Sequence, residues 1–431
     1  MKIPEVLLVE SQHRTGSLAK ICQAIADSGL LIENLVAVRR AQDKTLWEIT
    51  LELDEDVDSG VFDRINALET ARIVGTSDRV FNRHRGGKIQ MVARHTVTTL
   101  QELRDLYTPG VARVCLAIKA DDAKAWEFTN LPNTVAIITN GTAVLGLGDI
   151  GPLAGLPVME GKAALMGSLA GLSGIPILID EKDPAKIIET IVSIAPSFGA
   201  IQLEDFAAPD CFEIERALLD RLKIPLMHDD QHGTAVVALA AVLSAMTRVG
   251  RRLDDCVVGQ IGLGAAGIGI TRLFLHRGVK QVIGTDLDKS AVMRLESMGG
   301  QGRSLDEVMK EADIVIATTG RKGLIKAEMV RKGQMIFALS NPEPEIEPRI
   351  ALERGAVFAA DGRSINNVLG FPGIFRGALD ARATRITDAM LFAAADALVA
   401  AVVGDELIPD CLDPTVHARV AEAVKGAAES G

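Results

Sequence analysis

Tyr107 is the only tyrosine in a chain that contains 12 phenylalanines. It stands in LYTPGVARV, at a break where a phenol could act as an acid or merely half-fill a helix end. Lys162 stands in PVMEGKAALMGSLAGL, read here as opening an Ala/Leu/Met-rich helix. A cation at a helix N-terminus is electrostatically misplaced. Burial and a nearby metal ion would lower its pKa further, which makes a lysine a general base near neutral pH. Taken alone, it could equally be a surface lysine.

Two carboxylate pairs follow, Glu204–Asp205 and Asp229–Asp230. Paired carboxylates repel unless a cation holds them, and oxygen donors suit Mg²⁺ or Mn²⁺. His228 and His232 flank the second pair, but no cysteine or His-spaced partner set supports zinc. Asp230 could instead cap the helix that begins after it.

CVVGQIGLGAAGIGITRLFLHRGVKQVIGTDLDKS carries a nucleotide signature. Gly262, Leu263, Gly264, Ala265, Ala266 and Gly267 form a GxGxxG turn after an apolar strand and before a helix. Gly262 permits the turn, Gly264 lets backbone approach a pyrophosphate, and Gly267 packs helix on strand. Free amides at the helix start would take the phosphates. Asp286 ends the next strand and would bind a ribose 2′-hydroxyl while repelling a 2′-phosphate, which favours NAD over NADP. Lys289 nearby works the other way. A packing turn with no nucleotide is the alternative. EADIVIATTG and GQMIFALSNPEPEI continue as buried strands, and Asn341 leaves the second near the expected nicotinamide.

These groups need a frame. Residues 1–82 read as strand, helix, two strands, helix and strand, a ferredoxin-like βαββαβ order. The charged NRHRGGK at 82–88 reads as a linker. From residue 95 the apolar runs TVAIITN, IPILID, GAIQLED and IPLMHDD alternate with helical segments such as DPAKIIETIVSIA, capped by Asp183. Alternation of this kind predicts an α/β fold with parallel sheets, ligands lying beyond the strands' carboxyl ends. Those ends carry Asn140, Asp180, Glu204, Asp205, Asp229 and Asp230. The expected domains are 1–82, a substrate and metal domain at 88–235, and a Rossmann domain at 236–431 whose last helices return to the catalytic domain. Thr99 and Glu102 form a capping box. Leu100, Leu103 and Leu106 are expected to be a buried stripe, with Tyr107 in the last turn.

The 431 residues fit about three domains. A net charge of −11 argues against nucleic acid as a partner. The five cysteines include no CxxC, so reduced thiols are expected. MKIPEVLLVES has no signal-peptide core, and no apolar run looks long enough to span a membrane. A cytoplasmic protein is the expectation.

LYTPGVA, GTAVLGLGDIGP, PVMEGKA, IQLEDFAAPDCFEIE, HDDQHGTAVV, SNPEPEI and NNVLGFPGIFRGALD together resemble the bacterial small-subunit malic enzymes over about residues 88–400. Residues 1–82, with RTGSLAKI, resemble an ACT domain, a module that binds amino acids or other small effectors. The resemblance implies oxidative decarboxylation of L-malate to pyruvate and CO₂, with NAD, less so NADP, and Mg²⁺ or Mn²⁺. It implies Tyr107 as acid, Lys162 as base, Asp229 as the lysine's partner, and Glu204, Asp205 and Asp230 on the metal. It places Asn341 and Asn367 near nicotinamide and substrate. It also implies a homodimer or higher homo-oligomer regulated by a small effector, such as an amino acid, at the ACT domain.

The chain departs from the family in two places. Ser364 runs directly into INN where relatives have several more residues. Ala143 stands where larger malic enzymes use an arginine to hold a malate carboxylate. Three other activities share parts of this pattern: an amino-acid dehydrogenase, a metal-dependent oxaloacetate decarboxylase and an effector-sensing binding protein.

Overall fold

The computed structural model describes the chain except residues 1, 42, 55–59, 77, 78, 145, 342, 363, 364, 405 and 431, and except the side chains of 2–5, 52–54 and 79. Ser364 therefore lies outside the described residues. The chain forms two units, Met1–Lys88 and Ile89–Gly431.

The first unit has the expected βαββαβ order. Its strands are β1 (Lys2–Gln12), β2 (Ile32–Arg40), β3 (Lys44–Asp54) and β4 (Ala71–Thr76), with helices Ser17–Ala26 and Val61–Asn66. They form an antiparallel sheet in the order β2-β3-β1-β4. Alternation puts Leu7, Val9, Ile49 and Leu51 on one face, where Ile21, Ile25, Val61 and Ile65 of the helices cover them.

The second unit contains two parallel sheets. The first has strands β5 (Thr134–Thr139), β6 (Ser173–Leu178), β7 (Ala200–Leu203) and β8 (Leu226–His228), in the order β6-β5-β7-β8. Every residue of β5, β7 and β8 is buried, as a sheet covered on both faces requires. The second sheet has β9 (Val257–Ile261), β10 (Gln281–Thr285), β11 (Gln301–Gly302), β12 (Ile314–Ala317), β13 (Met335–Ala338) and β14 (Phe358–Asp361). Its order, β11-β10-β9-β12-β13-β14, is the doubly wound nucleotide topology.

One helix joins the two sheets into a single core. Asp229–Val249 starts at the end of β8, and its apolar body packs against helix Ala265–His276 of the nucleotide sheet. Position 236 falls inside this helix. Contrary to the expectation from the sequence, it is long and apolar enough to cross a membrane. Its residues Val236 to Val242 are all buried in the protein core, which accounts for that composition. Of the last three helices, Phe371–Asp380 and Pro414–Glu429 both return to pack on helix Pro152–Ala170. Arg376 anchors the former by donating to Asn133 Oδ1 at 2.8 Å and to the Pro132 carbonyl at 3.1 Å. All five cysteines are free thiols.

Candidate active site

The carboxyl ends of β7 and β8 converge, and the four acids gather there. Glu204 and Asp205 follow β7 directly, and Asp229 and Asp230 open the helix after β8. Asp205 sits in left-handed backbone at φ +56°, a conformation aspartate tolerates better than most residues. Its backbone N–H donates to Asp230 Oδ2 at 2.9 Å, and its carbonyl accepts from Ala143 at 3.0 Å. The Ala143 amide is thus already engaged. Asp230 does not cap its own helix; it binds the neighbouring strand end instead.

Ligand oxygens of Glu204, Asp205 and Asp230 lie within 4.8 Å of one another. Glu204 and Asp205 are buried and Asp230 is half-buried. Four carboxylates at this point face the single ammonium of Lys162, so the donor set fits a hard divalent cation with oxygen ligands. Neither histidine belongs to this three-acid group: His228 Nε2 lies 3.1 Å from Asp230 Oδ2, and His232 Nε2 lies 2.8 Å from Glu215 Oε1.

Lys162 is not at a helix start. It lies in the middle of Pro152–Ala170, so the helix dipole does not act on it. Its side chain is 9% exposed, with Nζ 2.6 Å from Asp229 Oδ2 and 3.0 Å from Glu204 Oε1. The ammonium also sits 4.5 Å above the Phe371 ring centroid, a contact the sequence reading did not foresee. Burial works to lower the lysine's pKa, but Asp229 and Glu204 overcome it and raise the value. This reverses the expected lowering, because the carboxylates are closer than anything that repels the charge.

The same competition acts on the acids. Burial pushes Glu204 well above the carboxylate range against the pull of Lys162, with Asp230, Asp229 and Asp205 adding repulsion. Burial likewise raises Asp229 despite Lys162. Burial would raise Asp230 too, but His228 and Lys162 bring it below its ordinary value.

Three further residues complete the floor. Asn367 donates from Nδ2 to Asp229 Oδ2 at 3.0 Å, so it does join the lysine–aspartate pair. A Cβ on Gly233 would stand 2.0 Å from Asp229 Oδ1, so only glycine lets that carboxylate fold against its own helix. Gln202, also unforeseen, donates to Glu204 Oε2 at 2.6 Å.

Tyr107 is different. Thr99 and Glu102 do form the capping box of helix Leu100–Leu106, and Tyr107 caps its C-terminus. The tyrosine is 67% exposed, and its hydroxyl has no hydrogen-bond partner among the described residues. Leu100, Leu103 and Leu106 are 73%, 43% and 44% exposed, so the expected buried stripe is a solvent-facing one. Among the described residues, nothing buries the apolar side of this short helix.

The glycine turn has the expected form. Gly262 adopts φ +89°. A Cβ on Gly267 would meet the Gly262 carbonyl at 1.9 Å, which is the close helix–strand approach. Above Gly264 there is open space, and Leu263, Ala265 and Ala266 complete the turn and the helix start. No side chain caps that start, so its amides face outward. Asp286 accepts from the Leu263 N–H at 2.6 Å and the Asp288 N–H at 2.9 Å. A cavity of about 300 Å³ lies here, lined by Gly262, Gly264, Asp286, Leu287, Thr319 and Leu324 among others. Asn341 leaves just beyond β13, is exposed, and donates to the Gly362 carbonyl at 3.3 Å.

Comparison with known proteins places this arrangement. Residues 86–219 match the malic enzyme N-terminal domain, and residues 287–428 match the malic enzyme NAD binding domain. The chain is 52% identical over 425 residues to NAD-dependent malic enzyme 1 of Bacillus subtilis (strain 168), covering 98% of this chain and 97% of that one. It is 43% identical to the NAD-dependent malic enzyme of Geobacillus stearothermophilus, covering 96% and 91%. The crystal structure of malic enzyme from Pyrococcus horikoshii Ot3 superposes with a TM-score of 0.78 at 39% identity, covering 82% of this chain and 90% of that one. With the acids, the lysine and the dinucleotide turn in one unit, these likenesses assign the chain to the malic enzyme family.

Proposed function

We propose that this enzyme oxidises L-malate with NAD and releases pyruvate and CO₂. The observation that carries this reading is the buried Lys162–Asp229 pair, 2.6 Å apart, beside the three-acid cluster and in the same unit as the NAD turn. Glu204, Asp205 and Asp230 would hold a divalent cation, which supplies Lewis-acid polarisation of the substrate's C2 oxygen. Lys162 is held as an ammonium by negative charge that a divalent cation on Glu204, Asp205 and Asp230 would cancel, and the neutral amine then takes the C2 hydroxyl proton as hydride leaves C2 for the nicotinamide. Asp229 and Glu204 stabilise the resulting ammonium. Asn367 holds Asp229 in place, and Asn341 marks the nicotinamide side. After loss of CO₂, Tyr107 delivers a proton to C3.

Tyr107 must leave solvent to do this. The exposed row Leu100, Leu103, Leu106 and Tyr107 supports assembly into a homo-oligomer that covers it. The N-terminal βαββαβ unit supports an ACT-type effector module. It carries a cavity of about 400 Å³ rimmed by Glu10, Lys44, Asn66 and Arg72, groups suited to a zwitterion such as an amino acid.

The test is NADH formation from malate and Mn²⁺, compared with NADP and repeated with amino acids present. Activity that survives thorough chelation would point instead to an amino-acid dehydrogenase. CO₂ release from oxaloacetate without any malate oxidation would point to a decarboxylase. Replacing Tyr107 with phenylalanine should cut pyruvate release by ~10²-fold, the scale of a lost general acid, with NAD affinity unchanged. Wild-type pyruvate release by that variant would make the tyrosine structural.

A further inference from the structure

One buried cluster takes no part in the chemistry above. Glu215 lies on helix Asp210–Arg221 and is 6% exposed. Its Oε1 accepts the backbone N–H of His228 at 2.7 Å and lies 2.8 Å from His232 Nε2. Its Oε2 accepts from Gln231 Nε2 at 3.0 Å. The same Gln231 amide lies 3.2 Å from His228 Nδ1.

These three partners surround Asp229 and Asp230 in the chain. His228 is the N-cap of helix Asp229–Val249, and its own side chain makes no cap. The first amides of a helix need acceptors, and here a carboxylate from a neighbouring helix provides one. A buried carboxylate is costly unless satisfied, so this one is held where three donors meet it.

The restraint continues to the acids. The His228 ring is fully buried, with Nε2 3.1 Å from Asp230 Oδ2. That oxygen also accepts the Asp205 N–H. Asp230 Oδ2 thus meets two groups, the ring of His228, whose backbone N–H Glu215 holds, and the Asp205 N–H, which Glu215 does not touch.

We infer that Glu215 is a positioning residue: through His228, Gln231 and His232 it sets the first turn of helix Asp229–Val249, and thereby the divalent-cation affinity of Asp230 and its neighbours. The inference rests on the proposed cation role of Glu204, Asp205 and Asp230. Groups that orient metal ligands typically control affinity by 10–100-fold.

The experiment titrates Mn²⁺ into the full-length protein without malate or NAD, reading free Mn²⁺ by electron paramagnetic resonance. The parent, Glu215→Gln and Asp230→Asn are compared. Glu215→Gln keeps the volume but removes the charge and turns one of the two acceptor oxygens into an amide donor, so either Gln231 or the His228 and His232 pair loses its acceptor. It should weaken Mn²⁺ binding ~10–100-fold and raise the KM for Mn²⁺, while the KM for NAD stays within about twofold. Loss of NAD affinity in step with Mn²⁺ affinity would mark a merely structural role and overturn the inference. Parent-like Mn²⁺ affinity in Glu215→Gln, with Asp230→Asn impaired, would also overturn it while leaving the cation site intact. Parent-like affinity in Asp230→Asn would instead remove the cation reading, and the inference with it. If Glu215→Gln does not fold, Gln231→Met removes one donor at similar volume, and unchanged Mn²⁺ affinity there would overturn the inference.

Discussion

Replacing Lys162 with alanine should lower kcat for malate oxidation by ~10³–10⁴-fold, near the upper end of what a positioned base contributes. The group is buried and touches Asp229 and Glu204 at 2.6 Å and 3.0 Å. NAD affinity, measured by quenching of protein fluorescence, should be unchanged, because the glycine turn lies on a different sheet. Stability should change in a second, separable way. Removing one partner of a buried ion pair leaves the other uncompensated and costs on the order of 3 kcal/mol. Thermal melting of the variant should therefore be lower in chelator and partly recovered by Mn²⁺. Unchanged NADH production from malate would refute the assignment of Lys162 as base.

Removing the divalent cation should abolish turnover, and Mn²⁺ or Mg²⁺ should restore it. The structural reason is charge: three mutually repelling carboxylates lie within 4.8 Å, with one lysine shared among their neighbours. A cation bound only by the folded state also stabilises it, by about 2.7 kcal/mol at 100 times its Kd. The melting temperature should rise accordingly. The binding should be pH-dependent with a definite sign. Burial holds the Glu204 carboxyl well above its usual pKa, so a proton competes with the cation. Apparent Mn²⁺ affinity should fall as pH is lowered, and binding should release protons, measurable by calorimetry in buffers of different ionisation enthalpy. Full activity in exhaustively chelated protein would contradict the metal assignment.

Much of the frame was legible because it is local. GxGxxG between an apolar strand and a helix specifies backbone conformations that few other sequences need. The structure shows the turn at Gly262 and the tight approach at Gly267. Continuous apolar runs marked parallel strands covered on both sides, and Asp183 and Thr99 cap the helices whose starts they announce. Glu215 left a readable signal that went unused. Cys211, Ile214 and Leu218 follow the spacing of one buried helix face, and Glu215 falls on that face. A carboxylate in an apolar stripe must have partners, and here they hold the site.

Other features were not local. Lys162 was read at a helix start because the helix boundary depends on Gly151 and Pro152, well upstream. The leucine stripe before Tyr107 has helical spacing, but spacing only says that a face is apolar. What covers it depends on other elements, and among the described residues none buries it, leaving Leu100 73% exposed.

The sequence by itself determined the element types, the dinucleotide turn and which carboxylates, lysine and tyrosine are available for the proposed chemistry. Each of these follows from residue type and short-range spacing. The tertiary structure alone decided which groups meet. It brings Lys162 onto Asp229 across 67 positions, and Asn367 onto the same carboxylate across 138. It also decided the direction of the lysine's pKa, which depends on distances between charges that the folded chain brings together. Electrostatic energy depends on separation in space, and separation along a chain does not prescribe it.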